Sequence, residues 1–181
     1  YYRTRYYDPT MGRFVSEDPI RFRADVNFYR YVGNRSTSSI DPSGLDWVYH
    51  GGSGEMDHVD NQTGIVTDIC TGYAGHHFGL NNPLAEGLPG GWTDSNAGPL
   101  PRGQYTIGPL RDNVTGTGTV LPDSMRLIPD PTNDMLDRSG FLIHGGDMKN
   151  RSSSQGCIVV PHDCRLTIGN SNDHVLRVVA P

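Results

Sequence analysis

The chain of 181 residues is long enough for one domain of ordinary size plus an appendage, and Gly and Pro together fill 36 positions, which favours turns and short strands over long helices. Its net charge of −5 at pH 7 divides unevenly: residues 1–45 carry seven Arg against five acids, and the remainder carries eight basic against fifteen acidic residues. The acidic second part argues against a nuclease, whose phosphate contacts need clustered Lys and Arg, and no apolar run approaches the roughly 18 residues of a membrane-spanning helix.

The chain opens at Tyr1-Tyr2-Arg3 without an initiator Met or a signal peptide and reads as a piece of a longer polypeptide. Through residues 1–45, alternating aromatic and basic residues are broken by Asp-Pro and Gly steps: Arg5-Tyr6-Tyr7-Asp8-Pro9, Gly12-Arg13-Phe14, Asp18-Pro19-Ile20, Asn27-Phe28-Tyr29-Arg30-Tyr31-Val32 and Asp41-Pro42-Ser43-Gly44-Leu45. Short strands joined by tight turns fit this pattern. A segment this small cannot bury so many aromatic rings alone, so it belongs with a larger β structure.

Residues 51–91 are rich in Gly, Asn, Asp and His and read as short strands with long loops. Downstream, the Pro/Gly turn of Gly98–Gly103 leads into the strand Gln104-Tyr105-Thr106-Ile107, and Met125–Ile128 alternates as another strand. Phe141–His144, Cys157–Val160 and Val175–Val179 are short apolar runs bounded by turn residues, the pattern of buried strands. The expected fold is therefore mainly β with little helix, divided into residues 1–45 and 46–181.

Chemistry concentrates in two of those runs. Phe141-Leu142-Ile143-His144-Gly145-Gly146 ends on a His, and Ser153-Ser154-Gln155-Gly156-Cys157-Ile158 begins on a Cys, with a Gly/Ser-rich segment between them that lets the two strands pair. A thiol is mostly protonated at neutral pH, and an adjacent imidazole activates it by taking the proton. Three cysteines cannot form a closed framework; at most Cys70 pairs with Cys164, leaving Cys157 free. His50, His58, His76 and His77 match no standard zinc spacing, so neither metal nor cofactor is expected. Tyr73 and Trp92 read as core before cleft, and His162 and His174 as loop or strand-edge residues.

Residues 1–45 resemble the C-terminal end of the RHS-repeat core, the β-cage that encloses polymorphic toxins, with Asp41-Pro42-Ser43-Gly44-Leu45 as the closing marker. The resemblance implies self-cleavage at Leu45–Asp46 by the aspartate pair Asp18 and Asp41, since two carboxylates sharing a proton can act as acid and base on a peptide bond. From about Pro99 to Val160 the chain is similar to the L,D-transpeptidases, above all the compact forms used as interbacterial effectors, through the joint pattern His-Gly and Ser-x-Gly-Cys. Those enzymes usually carry His where Gln155 stands.

This second resemblance implies Cys157 as nucleophile on peptidoglycan stem peptides, expelling a terminal D-Ala, with His144 as base and then acid. The amides of Gly156 and Cys157 would form the oxyanion hole, and Ser154 would orient His144 or line that hole. Arg138 would clamp a substrate carboxylate, with Gln155 beside it, and Gly145 and Gly146 would leave room for substrate. The implied setting is a secreted toxin, a type VI secretion effector acting in the periplasm of a target bacterium, with stem peptides, an immunity protein and the RHS shell as partners and no nucleic acid. A different cysteine peptidase or amidase of peptidoglycan, or a non-enzymatic binding module, is the alternative.

Overall fold

The computed structural model describes residues 7–8, 10, 13–15, 45–60, 65–88 and 97–180. Asp18, Asp41 and Trp92 lie outside the described residues. Two strands of two residues each, β1 (Tyr7–Asp8) and β2 (Arg13–Phe14), pair antiparallel, and the Asp8 carboxylate accepts the Thr10 amide.

From Leu45 the chain forms a ten-stranded sheet: β3 (Leu45–His50), β4 (Glu55–Asp60), β5 (Val66–Thr71), β6 (Tyr73–Ala74), β7 (Gly103–Ile107), β8 (Arg111–Val114), β9 (Val120–Pro129), β10 (Leu142–His144), β11 (Ile158–Val159) and β12 (Val175–Val179). Their order is β5-β4-β3-β12-β7-β9-β10-β11-β6, with β8 beside β9. The architecture is mainly β, as the sequence indicates; strands are present at Gln104–Ile107, Met125–Ile128 and Val175–Val179, and the expected runs Phe141–His144 and Cys157–Val160 are strand at Leu142–His144 and Ile158–Val159.

The sheet is mixed. β12 runs parallel to β3 and antiparallel to β7, which places the last described strand against the first of this sheet. Asp46, buried in β3, meets the Arg177 guanidinium of β12 at 2.6 Å, an ion pair across that central junction. Trp47, Tyr49, Met56, Tyr105, Leu176 and Val178 fill the core on this side, and Ile143, Ile158 and Val160 continue it toward β10 and β11.

One helix was not anticipated. Among the described residues the single α-helix is α1 (His162–Asn170), so His162, read as a loop or edge residue, stands at its first position. Only Cys164, Arg165 and Ile168 are buried, a stripe one turn long that Thr167 and Gly169 interrupt with weak helix formers. The available cue was Pro161 at its N-terminal boundary. Cys164 is bonded to Cys70 of β5 across 94 residues of sequence, and this disulfide fastens α1 to an outer strand of the sheet.

Candidate active site

β10 and β11 lie side by side in parallel, Ile143 opposite Ile158 and His144 opposite Val159. One step back, this register brings Leu142 opposite Cys157, and the Leu142 amide lies 3.4 Å from Cys157 Sγ. Side chains alternate along a strand, so Leu142 and His144 share the face on which Cys157 lies. Both Cys157 and His144 accordingly line one cleft of about 500 Å³, together with Gln155, Ser153, Arg126 and the Thr115–Thr119 turn between β8 and β9. A parallel pair needs a long crossover rather than a tight turn. Residues 145–157 supply it, pinned where Tyr73 Oη donates to the Asp147 carbonyl and accepts the Ser153 amide. Tyr73 is fully buried, so it holds the crossover from within the core.

Cys157 is the free cysteine among the described residues. Burial pushes its thiol above the ordinary 9.0, while the Leu142 amide, the Arg138 charge and its own amide pull back. His144 is 5% exposed. Burial holds its pKa below the ordinary 6.5, with the Arg165 charge acting in the same sense and the hydrogen bond to the Gly145 carbonyl opposing. That bond fixes the tautomer: a carbonyl only accepts, so Nδ1 donates at 2.7 Å, and in the neutral ring Nε2 is left as the acceptor. Both groups are thus biased toward their neutral forms, the thiol by burial and the imidazole by burial and the Arg165 charge.

Other residues named from the sequence take different places. Ser154 Oγ does not reach for His144. It donates to the Cys157 carbonyl at 2.6 Å and accepts the amides of Gly75 and Gly156, each at 3.0 Å, knotting the Ser-Gln-Gly-Cys turn to β6's end. The Gly156 amide is therefore taken by Ser154, whereas the amides that reach the sulfur are those of Leu142 and Cys157. Gly156 is required for another reason: its φ is +117°, and a Cβ there would collide with Arg138 Nη2.

Arg138 is not available as a substrate clamp. Its guanidinium donates to the carbonyls of Glu86, Pro99, Gly98 and Gln155 and lies over the Phe141 ring. It ties the loop before Cys157 to the 98–99 segment and leaves its charge close enough to favour a thiolate. Gly145 and Gly146 make room for the protein itself, since a Cβ would strike Arg165 Nη1 at the first and Ser153 Cβ at the second. They line a second cavity, about 370 Å³, beside Arg165 and His162. Gln155 does line the cleft. The Leu45–Asp46 bond lies at the first step of β3.

Of the histidines weighed for zinc, His50 pairs with Asp57 and His58 with Asp173 and Asp68, while the rings of His76 and His77 lie against each other. Among the described residues no group of three or more His, Cys, Asp or Glu is placed to hold a metal ion. Sequence reasoning missed the Leu142 amide and Arg126, because strand register rather than a local motif brings both to the cleft.

Residues 69–180, more than half of the chain, match the Tlde1 domain family. The chain belongs to that family. Tlde1 is a toxin effector domain, and the match runs from within β5 to just past β12, so β3 and β4 complete the sheet outside it. The Tlde1 chain is similar in fold to the L,D-transpeptidase (residues 123–326) from Xylanimonas cellulosilytica, with TM-score 0.50 and 14% identity, covering 81% of this chain and 65% of that one. Over 45 residues it is 47% identical to the putative uncharacterized protein YibJ of Escherichia coli, a stretch covering 25% of this chain and 19% of YibJ. Over 51 residues it is 43% identical to the toxin subunit YenC2 of Yersinia entomophaga, covering 26% of this chain and 5% of that protein. The chain thus spans under a fifth of YibJ and a smaller part of YenC2.

Proposed function

We propose that this Tlde1 domain is an antibacterial toxin that cleaves peptidoglycan stem peptides between an L-centre residue and the terminal D-Ala. The observation that carries the reading is the shared cleft of Cys157 and His144, with His144 Nδ1 committed to Gly145 and Nε2 left to accept a proton. As Sγ attacks the scissile carbonyl, Nε2 takes the thiol proton. The C–N bond breaks, the proton passes to the departing D-Ala amine, and a thioester remains on Cys157. Water then yields a carboxylate and restores the thiol (L,D-carboxypeptidase), or an amine yields a new amide (L,D-transpeptidase). The Cys157 amide, already directed at the sulfur, would meet the developing oxyanion, an interaction typically worth about 3–4 kcal/mol.

The family membership and the transpeptidase-like fold support a peptidoglycan target. The sequence marker at Asp41–Leu45 is the ground for proposing an RHS shell upstream, with which the short identity to a toxin subunit is compatible; release at Leu45–Asp46, delivery to the target periplasm and neutralisation by an immunity protein are parts of the same proposal. The test is mass spectrometry of muropeptides from cells that express the chain in the periplasm, wild type beside Cys157→Ala. Tetrapeptides shortened by one D-Ala, or carrying a new amide, are expected for wild type only. Release of intact stems from glycan would point instead to an amidase, and unchanged muropeptides with undiminished toxicity in Cys157→Ala would defeat the enzymatic reading.

A further inference from the structure

The cleft contains a cation that neither the motif nor the family match assigns. Arg126 on β9 stands directly opposite Leu142 of β10 in an antiparallel pair. Residues opposite one another project to the same face, so Arg126, Leu142 and His144 form one row along the cleft wall, with Cys157 against Leu142. Arg126 is exposed, and its Nη2 donates to the Val114 carbonyl at 3.2 Å, which steers the guanidinium beneath the turn that roofs the cleft. Among the described residues no carboxylate pairs with it.

The electrostatic setting sharpens this. The chain carries −5 overall, yet the residues lining the cleft include no Asp or Glu, and Arg126 is their single Lys or Arg. His144 is held neutral by burial, so Arg126 supplies the cleft's fixed charge. Arg138, by contrast, spends its donors on four backbone carbonyls. A guanidinium with open donors in a cleft free of acids recognises a carboxylate by a charge-assisted, fork-shaped contact.

We propose that Arg126 is the specificity residue of this site and takes a carboxylate of the substrate, making the cleft selective for anionic peptides. This rests on the stem-peptide reading above. Two positions of a stem tetrapeptide fit the chemistry, the terminal carboxylate of D-Ala and a carboxylate nearer the middle of the peptide, and substrates amidated at one or the other distinguish them.

The experiment measures binding by calorimetry in a Cys157→Ala background, where no turnover is needed, for the free-acid tetrapeptide and its two amidated forms. Arg126→Gln is expected to weaken binding of the free acid at least about tenfold, the usual effect of removing a charge-assisted bond. Arg126→Lys should retain part of the affinity. Amidating the recognised carboxylate should weaken binding to unmodified Arg126 by a similar factor and leave Arg126→Gln indifferent. Equal affinity for the free acid with and without the Arg126→Gln substitution would overturn the proposal. So would an equal loss on all three peptides with an unchanged thermal melt, which would assign Arg126 to holding the turn. If wild type releases no D-Ala while these binding differences persist, the catalytic reading fails and this one stands.

Discussion

His144 and Cys157 owe their protonation states to burial more than to each other. Because burial and Arg165 hold His144 below 6.5, the base is already neutral at mildly acidic pH. Under the proposed mechanism activity rises as the imidazole loses its proton, so the acidic limb of kcat/KM is expected below 6.5, and the alkaline limb, set by the raised thiol, above 9.0. Arg165 sits under Gly145 and donates to the carbonyls of Asp123 and Val160. Replacing it by Gln removes a positive charge that disfavours the imidazolium, so the acidic limb should move to higher pH. A pH–rate profile of Arg165→Gln reads this directly. A drop in amplitude without movement of the limb would mean that Arg165 only braces the backbone.

Two elements shape the site from outside it. The crossover between β10 and β11 is held by Ser154, Tyr73 and Arg138 rather than by regular structure, so each works through hydrogen bonds to carbonyls and amides flanking Cys157. Helix α1 is the second element. It carries Arg165 toward His144 and is tied to β5 by Cys70–Cys164. A bridge closing 94 residues restricts the unfolded chain considerably, and such bridges typically contribute about 2–4 kcal/mol. The double variant Cys70→Ala with Cys164→Ala is therefore expected to lose stability of that order in a urea titration, with Cys157 left as the single reactive thiol. A midpoint unchanged from wild type would show that packing of Ile168 and the hydrogen bonds of Arg165 hold α1 without the bridge.

Across the whole molecule, the arrangement of β3 bears on the proposed cleavage at Leu45–Asp46. Leu45 pairs with Asp60 and Asp46 with Val59, while Asp46 also meets Arg177. A cut between Leu45 and Asp46 would leave every pairing of the sheet from Asp46 onward in place, so the domain is expected to persist as a folded body after cleavage. If the RHS reading holds, expression of the parent polypeptide should yield a fragment beginning at Asp46 by N-terminal sequencing, and Asp41→Asn should suppress it. A fragment beginning elsewhere, or an uncut chain in the wild type, would remove the self-cleavage proposal.

The sequence alone determined the mainly β class and the later strands, because short apolar runs bounded by Gly and Pro carry a local signal, and it singled out Cys157 and His144 as candidates for thiol chemistry through the distinctive turn before Cys157. It did not show α1, whose buried stripe is a single turn, nor the roles of Arg138, Ser154, Gly145 and Gly146, whose partners lie far off in sequence. Only the parallel register of β10 with β11, and the antiparallel register of β9 beside them, decided which face holds Cys157, His144 and Arg126 together. Strand pairing is a long-range choice, and a shift of one residue turns every side chain to the other face. The chemistry of a side chain can be read from its neighbours in sequence; the company it keeps is set by the fold.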